Sequence, residues 1–241
     1  MAKPQLFCFT YAGGSASFYD EIGEYLPGVS LVKPEYAGHG ARRGEPFYDN
    51  FDEMAEDMLR VLRQSWNGGA YALLGYSMGA IVLAEVLRRI NDCVGLPLPC
   101  RAFLAAHEPH TKAELAGFSP QDLDEWVKER TIRFGALPER IVQNRVFWRI
   151  YLPLFRADYA LISKYRFEDL SLRTEVPLTA FYSETDTPLA EMQQWKRYFT
   201  GFCEFIRYEG SHFFIRRHQS EVAAVIRARL AADLGDITHD V

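Results

Sequence analysis

The chain has 241 residues, of which 48% are hydrophobic and 24% are charged. This composition is ordinary for a folded globular protein and excludes extensive disorder. The formal net charge of −5 gives no basic surface of the kind that nucleic-acid binding requires, so we expect no nucleic acid among its partners.

The four cysteines, Cys8, Cys93, Cys100 and Cys203, show no C-x-x-C spacing. Reduced thiols beside apolar segments explain them better than disulfides or a zinc site. The first ten residues contain neither a signal-peptide core nor a stretch long enough to cross a bilayer. We therefore expect a cytoplasmic monomer that does not bind membranes and uses no metal or cofactor.

The first half of the chain alternates between strand and helix patterns. Short apolar runs predict strands at residues 6–10, 29–32, 70–74 and 102–106. Apolar residues at helical spacing predict helices at 18–26, 51–66 and from 80 onward. This alternation is typical of an α/β fold with a mostly parallel sheet, helices on both faces, and a ligand site at the carboxyl ends of the strands.

From residue 107 to 165 the alternation stops and only helices are predicted, including one that starts at Ser119-Pro120. The stretch 144–165 carries more apolar side chains than one solvated face needs. One interpretation is that these residues simply pack on the sheet domain. The other, which we favour, is a helical insertion that forms a lid over the site and lines an apolar pocket. Residues 107–165 are called the lid below, and residues 1–106 and 166–241 the core.

The alternation resumes after the lid. We expect strands at 178–182 and 203–208, a turn at 183–188, a helix at 189–199 and a last helix at 218–230. The polar end, residues 233–241, is expected to fray. The chain is therefore interpreted as one α/β domain with an inserted cap.

The sequence Gly75-Tyr76-Ser77-Met78-Gly79 lies between a predicted strand and a predicted helix. A G-x-S-x-G in this context is a nucleophile elbow, whose sharp turn exposes the serine hydroxyl. The glycines are expected because side chains there would collide where the chain reverses. Ser77 is the candidate nucleophile.

A serine hydroxyl is a weak nucleophile and needs a base with a group that orients it. His212 follows a strand and precedes a helix, where the order serine, acid, histidine expects the base. Asp186 follows the preceding strand and is the favoured acid, with Glu108 and then Glu184 as alternatives.

Two other histidine positions carry signals of a functional site. His39 lies in a glycine-rich loop and is expected to line it. The pair His107 and His110 resembles a metal motif, but Pro109 breaks the helical spacing that such a pair needs.

An acyl-transfer site also needs hydrogen-bond donors for the developing oxyanion. The backbone N–H of Met78, directly after the nucleophile, is one candidate. The loop shaped by Gly13-Gly14 is expected to supply the second through the N–H of Ala12. A phosphate-binding loop is the alternative, although neither G-K-[ST] nor G-x-G-x-x-G is present.

Taken together, six segments of the sequence resemble the type II thioesterases, stand-alone α/β-hydrolases that edit polyketide synthases and nonribosomal peptide synthetases. The resemblance spans roughly residues 5 to 230 and rests on residues 11–16, 36–42, 75–80, 154–159, the turn at Asp186 and residues 210–214. It implies a triad of Ser77, Asp186 and His212 with an oxyanion hole at Ala12 and Met78. It also implies an acyl thioester on the phosphopantetheine arm of a carrier protein as substrate.

The chain departs from that family at two places. Tyr76 stands where histidine is common, and Tyr36-Ala37 replaces a usual proline-glycine. We expect these changes to affect pocket shape or lid contacts, and hence acyl preference, rather than the reaction class. A carboxylesterase or peptidase, an acyltransferase acting on small diffusible substrates, and a non-catalytic carrier-binding module remain as alternatives.

Overall fold

The computed structural model describes residues 2–92, 95–110, 120–134 and 139–237. Within these residues, six strands form a single parallel sheet in the order β2-β1-β3-β4-β5-β6. The strands are β1 Gln5–Phe9, β2 Ser30–Val32, β3 Tyr71–Tyr76, β4 Arg101–Ala105, β5 Leu178–Tyr182 and β6 Cys203–Arg207. The predicted α/β-hydrolase fold with a mostly parallel sheet is confirmed.

Helices cover both faces of the sheet. The described helices are α1 Asp20–Glu24, α2 Phe51–Ser65, α3 Met78–Asn91, α4 Pro120–Arg133, α5 Glu139–Val142, α6 Arg145–Lys164, α7 Leu189–Met192 and α8 Gln219–Ile237. Helices α2, α3 and α6 pack on one face, whereas α1 and α8 pack on the other. None of these described helices is long and apolar enough to cross a membrane.

The two hydrophobic cores follow from side-chain alternation along the central strands. On β1, Phe7 and Phe9 point into the core under α2 and α3, whereas Leu6 and Cys8 point into the core under α1 and α8. The central strands are buried on both faces and are mostly apolar, as is usual in a parallel sheet. This sheet brings the carboxyl ends of β1, β3, β5 and β6 to one edge of the domain.

The predicted helix at 189–199 is shorter in the structure. Helix α7 ends at Met192, and a 3₁₀ turn follows over Gln193–Arg197. This tighter turn places the buried Trp195 so that its indole N–H donates to the carbonyl of His107 at 2.8 Å. The apolar spacing alone does not distinguish the two helix types.

The expected fraying at Asp233 is wrong, because α8 continues to Ile237. The guanidinium of Arg101 donates to both oxygens of Asp233 at 2.7 Å, and this bidentate pair holds the last turns of the helix against β4. Residues 238–241 lie outside the described residues.

Helices α4 to α6 lie between β4 and β5, where the lid is expected. Helix α4 packs against α6. Helix α6 begins after Asn144, whose side chain accepts from the N–H groups of Val146 and Phe147. The predicted cap at Ser119 lies outside the described residues.

The cysteines are free where the structure describes them. Cys8 is buried, whereas Cys100 and Cys203 are half-buried. Burial raises the pKa of the Cys100 thiol to about 11, with a smaller contribution from Asp233, so this thiol is protonated at neutral pH. Cys93 lies outside the described residues.

Candidate active site

Ser77 occupies a strained turn between β3 and α3. Its backbone has φ +54° and ψ −119°, a conformation that non-glycine residues rarely adopt. A Cβ on Gly75 would lie 2.3 Å from the carbonyl oxygen of Gly79, and one on Gly79 would lie 2.0 Å from that of Phe9. The steric requirement expected for both glycines is confirmed.

Ser77, His212 and Asp186 form a continuous chain of hydrogen bonds. The Nε2 atom of His212 lies 3.0 Å from the hydroxyl of Ser77, and its Nδ1 lies 2.8 and 3.0 Å from the two oxygens of Asp186. An ionised carboxylate only accepts hydrogen bonds, so Nδ1 carries the proton and Nε2 accepts from the serine. In this arrangement an imidazole can take the serine proton while the carboxylate holds its orientation.

The structure distinguishes the three carboxylates considered for the acid. Asp186 contacts His212 directly, whereas Glu184 is exposed. Glu108 is buried and lines the same cavity. The turn that carries Asp186 is tied to the loop before His212, because the hydroxyls of Ser183 and Thr185 both donate to the carbonyl of Gly210. Sequence order could not show this contact between the two loops.

Met78 and Ala12 carry the two candidate oxyanion donors. Met78 is the first residue of α3, where a backbone N–H has no acceptor within the helix. Ala12 lines the cavity with Ser77 and His212. It lies in a turn closed by a 2.9 Å hydrogen bond from the N–H of Gly14 to the carbonyl of Tyr11, with Gly13 at φ +73°.

His39 is not beside Ser77. It is 1% exposed, and its Nε2 lies 2.9 Å from Oδ2 of Asp158 on α6. Burial lowers the pKa of His39, but the Asp158 carboxylate outweighs that effect and the pKa is raised above its ordinary value. Asp158 also accepts a 2.6 Å hydrogen bond from the N–H of Gly13. Sequence reasoning missed this contact, although an aspartate among the apolar positions of α6 was a visible signal.

Tyr76 and Tyr36 bind the backbone of segments that build the site. Both side chains are fully buried. The Tyr76 hydroxyl donates to the carbonyl of His212, and the Tyr36 hydroxyl donates to the carbonyl of Thr10 at 3.1 Å. These hydroxyls contact the backbone of the candidate base and of the loop before Ala12, and the effect of the two departures on acyl preference stays a prediction.

A cavity of about 470 Å³ opens above Ser77. Its described walls come from the strand ends and from α4 and α6, and they include Trp126, Arg130, Tyr159 and Ile162. Phe134, just after α4, stacks on the imidazole of His212 with ring centroids 4.1 Å apart. The cavity is large enough for a small organic ligand, and Ser77 is among its lining residues.

In the motif at His107 to His110, the His107 side chain forms a hydrogen bond to the backbone. His107 is buried, and its Nδ1 donates to the carbonyl of Glu108 at 2.6 Å. Over the ranges that the structure describes, no cluster of three or more His, Cys, Asp or Glu side chains is placed to hold a metal ion.

Comparisons with known proteins point to one family. The sequence model of the thioesterase domain family matches residues 4–230. Thioesterase PikA5 of Streptomyces venezuelae is 28% identical over 240 residues, covering 96% of this chain and 82% of PikA5. Gramicidin S biosynthesis protein GrsT of Aneurinibacillus migulanus is 26% identical over 225 residues, covering 92% of this chain and 86% of GrsT.

A solved structure gives the same result. The type II thioesterase BorB, from the borrelidin biosynthetic cluster, superposes with a TM-score of 0.82 at 27% identity. The match covers 95% of this chain and 93% of BorB.

Proposed function

Since this chain belongs to the thioesterase family and is a hydrolase, we propose that it is an editing thioesterase of polyketide or nonribosomal peptide synthesis. Its substrates are acyl or peptidyl thioesters on the phosphopantetheine arm of carrier proteins. The pathway assignment is supported by relatives named for such pathways, among them PikA5, GrsT and BorB.

The observation that carries the mechanism is the hydrogen-bond chain from Ser77 through His212 to Asp186. In the first half-reaction the Ser77 oxygen attacks the thioester carbonyl while His212 Nε2 takes its proton. The C–S bond then breaks, the carrier thiol leaves with the proton from His212, and the acyl group stays on Ser77.

Water completes the reaction. His212 removes a proton from a water molecule that attacks the acyl-serine carbonyl, and then returns the proton to the Ser77 oxygen as the ester bond breaks. The N–H groups of Ala12 and Met78 stabilise the oxyanion in both halves. Asp186 fixes the tautomer of His212 and stabilises the imidazolium.

The lid assignment is part of the same proposal. Residues 107–165 act as a lid on a core formed by residues 1–106 and 166–241. This is supported by walls of the cavity that come from α4 and α6 and by the stacking of Phe134 on His212. We expect the enzyme to act as a monomer in the cytoplasm.

The proposal is tested with a panel of acylated carrier proteins that vary in chain length and α-branching. Each acyl group is also offered as its phosphopantetheine thioester without the protein and as an oxygen ester. We expect release of free acid, with kcat/KM highest for the carrier-bound thioesters. Labelling of Ser77 by a fluorophosphonate provides the check that this residue is the nucleophile.

Other outcomes identify other functions. Faster hydrolysis of oxygen esters than of any thioester identifies a carboxylesterase. Products other than the free acid, formed when alcohols or amines are added, identify an acyltransferase. Carrier binding without turnover or labelling identifies a binding module. Each of these contradicts the proposal.

A further inference from the structure

A buried carboxylate connects helix α6 to the loop that carries Ala12. Asp158 lies on α6 and is 1% exposed. Its Oδ2 atom accepts a 2.6 Å hydrogen bond from the N–H of Gly13 and lies 2.9 Å from Nε2 of His39. This single oxygen thus joins the proposed lid to two loops of the core. Gly13 lies 145 positions from Asp158 in the sequence, and His39 lies 119 positions from it.

The hydrogen bonds of His39 define its protonation. Its Nδ1 lies 3.0 Å from the carbonyl oxygen of Ala37, which can only accept. Its Nε2 faces Asp158, and when that carboxylate is ionised both ring nitrogens donate and the ring is an imidazolium. A buried carboxylate paired with this cation forms a strong, charge-assisted contact, and Asp158 is thereby held in place while it binds Gly13.

The same helix also packs on Gly13 through an apolar side chain. A Cβ added to Gly13 would lie 2.2 Å from the ring of Phe155, which precedes Asp158 by one helical turn. The polar contact from Asp158 and the close packing of Phe155 therefore act on the same residue. Gly13 directly follows Ala12, and its left-handed backbone belongs to the turn that presents Ala12 to the cavity.

We propose that Asp158 is a positioning residue for the oxyanion hole, and that it couples formation of this hole to the seating of α6. When α6 is seated, its carboxylate and Phe155 hold the turn at Ala12 and Gly13. When α6 moves away, the N–H of Gly13 loses its acceptor and Ala12 is no longer fixed. This inference rests on the proposed function, because it assumes that the N–H of Ala12 stabilises the oxyanion.

The test uses Asp158→Ala and Asp158→Asn. The alanine variant removes the acceptor, whereas asparagine keeps an oxygen for Gly13 but loses the charge that binds His39. A matched control is Asp233→Asn, which changes a carboxylate that pairs with Arg101 and lies on α8, the helix on the sheet face opposite α6. Turnover, KM and melting temperature are measured for all variants.

The decisive readout is inhibition by an acyl trifluoromethyl ketone. Ser77 adds to its carbonyl carbon, His212 takes the serine proton, and the resulting oxyanion occupies the hole. We expect Asp158→Ala to lower kcat and to weaken this inhibitor by a similar factor of about 10², with KM changed less than about threefold. Asp158→Asn should fall between the alanine variant and wild type, and Asp233→Asn should lower only the melting temperature.

A purely structural role for Asp158 has a different signature. The melting temperature would fall while kcat and inhibitor affinity, measured well below it, stayed at wild-type values, and this result would overturn the inference. If the alanine variant does not fold, an unchanged kcat and inhibitor affinity in Asp158→Asn would overturn it equally. Failure of the wild-type enzyme to hydrolyse any thioester would instead contradict the proposed function.

Discussion

The hydroxyl of Tyr76 donates a hydrogen bond to the backbone carbonyl of His212, so the residue before the candidate nucleophile supports the candidate base. The Tyr76 ring is fully buried and stacks on Phe213, with ring centroids 6.2 Å apart. The imidazole is therefore fixed through its backbone from inside the core, as well as through its side chain by Asp186.

This contact predicts that Tyr76→Phe lowers turnover without removing the fold. Loss of one buried hydrogen bond costs about 1 kcal/mol of unfolding free energy. Without this hydrogen bond the His212 loop is held less firmly. We expect kcat to fall by roughly threefold to tenfold, since small displacements of a catalytic group slow the reaction. Steady-state kinetics and denaturant unfolding measure the two effects.

Tyr71→Phe is the matched control for that prediction. Tyr71 lies on the same strand, is equally buried, and donates to the carbonyl of Pro97 at 2.6 Å, at the end of β3 away from Ser77. It should show a similar loss of stability with kcat unchanged. Equal kcat values for the two variants would contradict a specific role for Tyr76.

The choice of acid predicts a difference between two carboxylates of the same cavity. Asp186→Asn keeps the shape of the side chain but favours the wrong tautomer of His212, and should lower kcat by about 10⁴. Glu108→Gln should leave kcat within a few-fold of wild type, because the two ring nitrogens of His212 are already engaged by Asp186 and by Ser77. Loss of activity in the Glu108 variant alone would show that the acid is misassigned.

The Ala12 loop predicts that Gly13→Ala damages both stability and turnover. Alanine must adopt φ +73° and its Cβ meets the ring of Phe155. Gly28→Ala is the control, since Gly28 has φ +87° with nothing within 4 Å of the added Cβ. The control should lose only about 1 kcal/mol for the left-handed backbone, with normal kcat.

For Gly13→Ala we expect a larger loss of unfolding free energy than for Gly28→Ala, together with a lower kcat. Both quantities come from denaturant unfolding and steady-state kinetics on the same preparations. If the two alanine variants behave alike in both measurements, α6 does not constrain this loop.

The His39 and Asp158 pair predicts a pH-dependent stability. Burial lowers the folded-state pKa of His39, but the Asp158 carboxylate, with smaller effects of the Ala37 carbonyl and Glu35, raises it above its ordinary value. Stabilisation by this pair is therefore fully present below the unfolded pKa of about 6.5 and is lost as pH rises through the folded pKa. Tyr36, which packs edge-on against His39 with ring centroids 5.8 Å apart, keeps its proton throughout because burial raises its pKa.

The measurement is the unfolding free energy of wild type and His39→Gln between about pH 6 and pH 9. The difference between them should be largest at the acidic end and shrink as pH rises. In an Asp158→Asn background the difference should lose this pH dependence. A difference that grows with pH would contradict the imidazolium assignment.

Local sequence patterns predicted the strands and the turn motif, because each of these has a characteristic spacing of residues. The apolar strands and the G-x-S-x-G at Ser77 carry their own spacing, and the structure gives these strands within a residue or two of the expected bounds. The steric need for Gly75 and Gly79 also followed from the turn itself.

Contacts between distant segments could not be predicted in this way. The pair of Arg101 with Asp233, which extends α8, joins residues 132 positions apart. The contact of Asp158 with Gly13 spans 145 positions, and that of Tyr76 with His212 spans 136. Such pairs have no periodic signal in one sequence, because they depend on which strand ends and helices become neighbours in the folded sheet.

The central claim, that Ser77 carries the acyl group between carrier protein and water, is tested most directly by the rate at which Ser77→Ala hydrolyses an acylated carrier protein. We predict that turnover falls by at least about 10³-fold while the melting temperature stays at or above that of wild type, because alanine leaves the fold intact. Near-normal turnover by the folded variant would contradict the account.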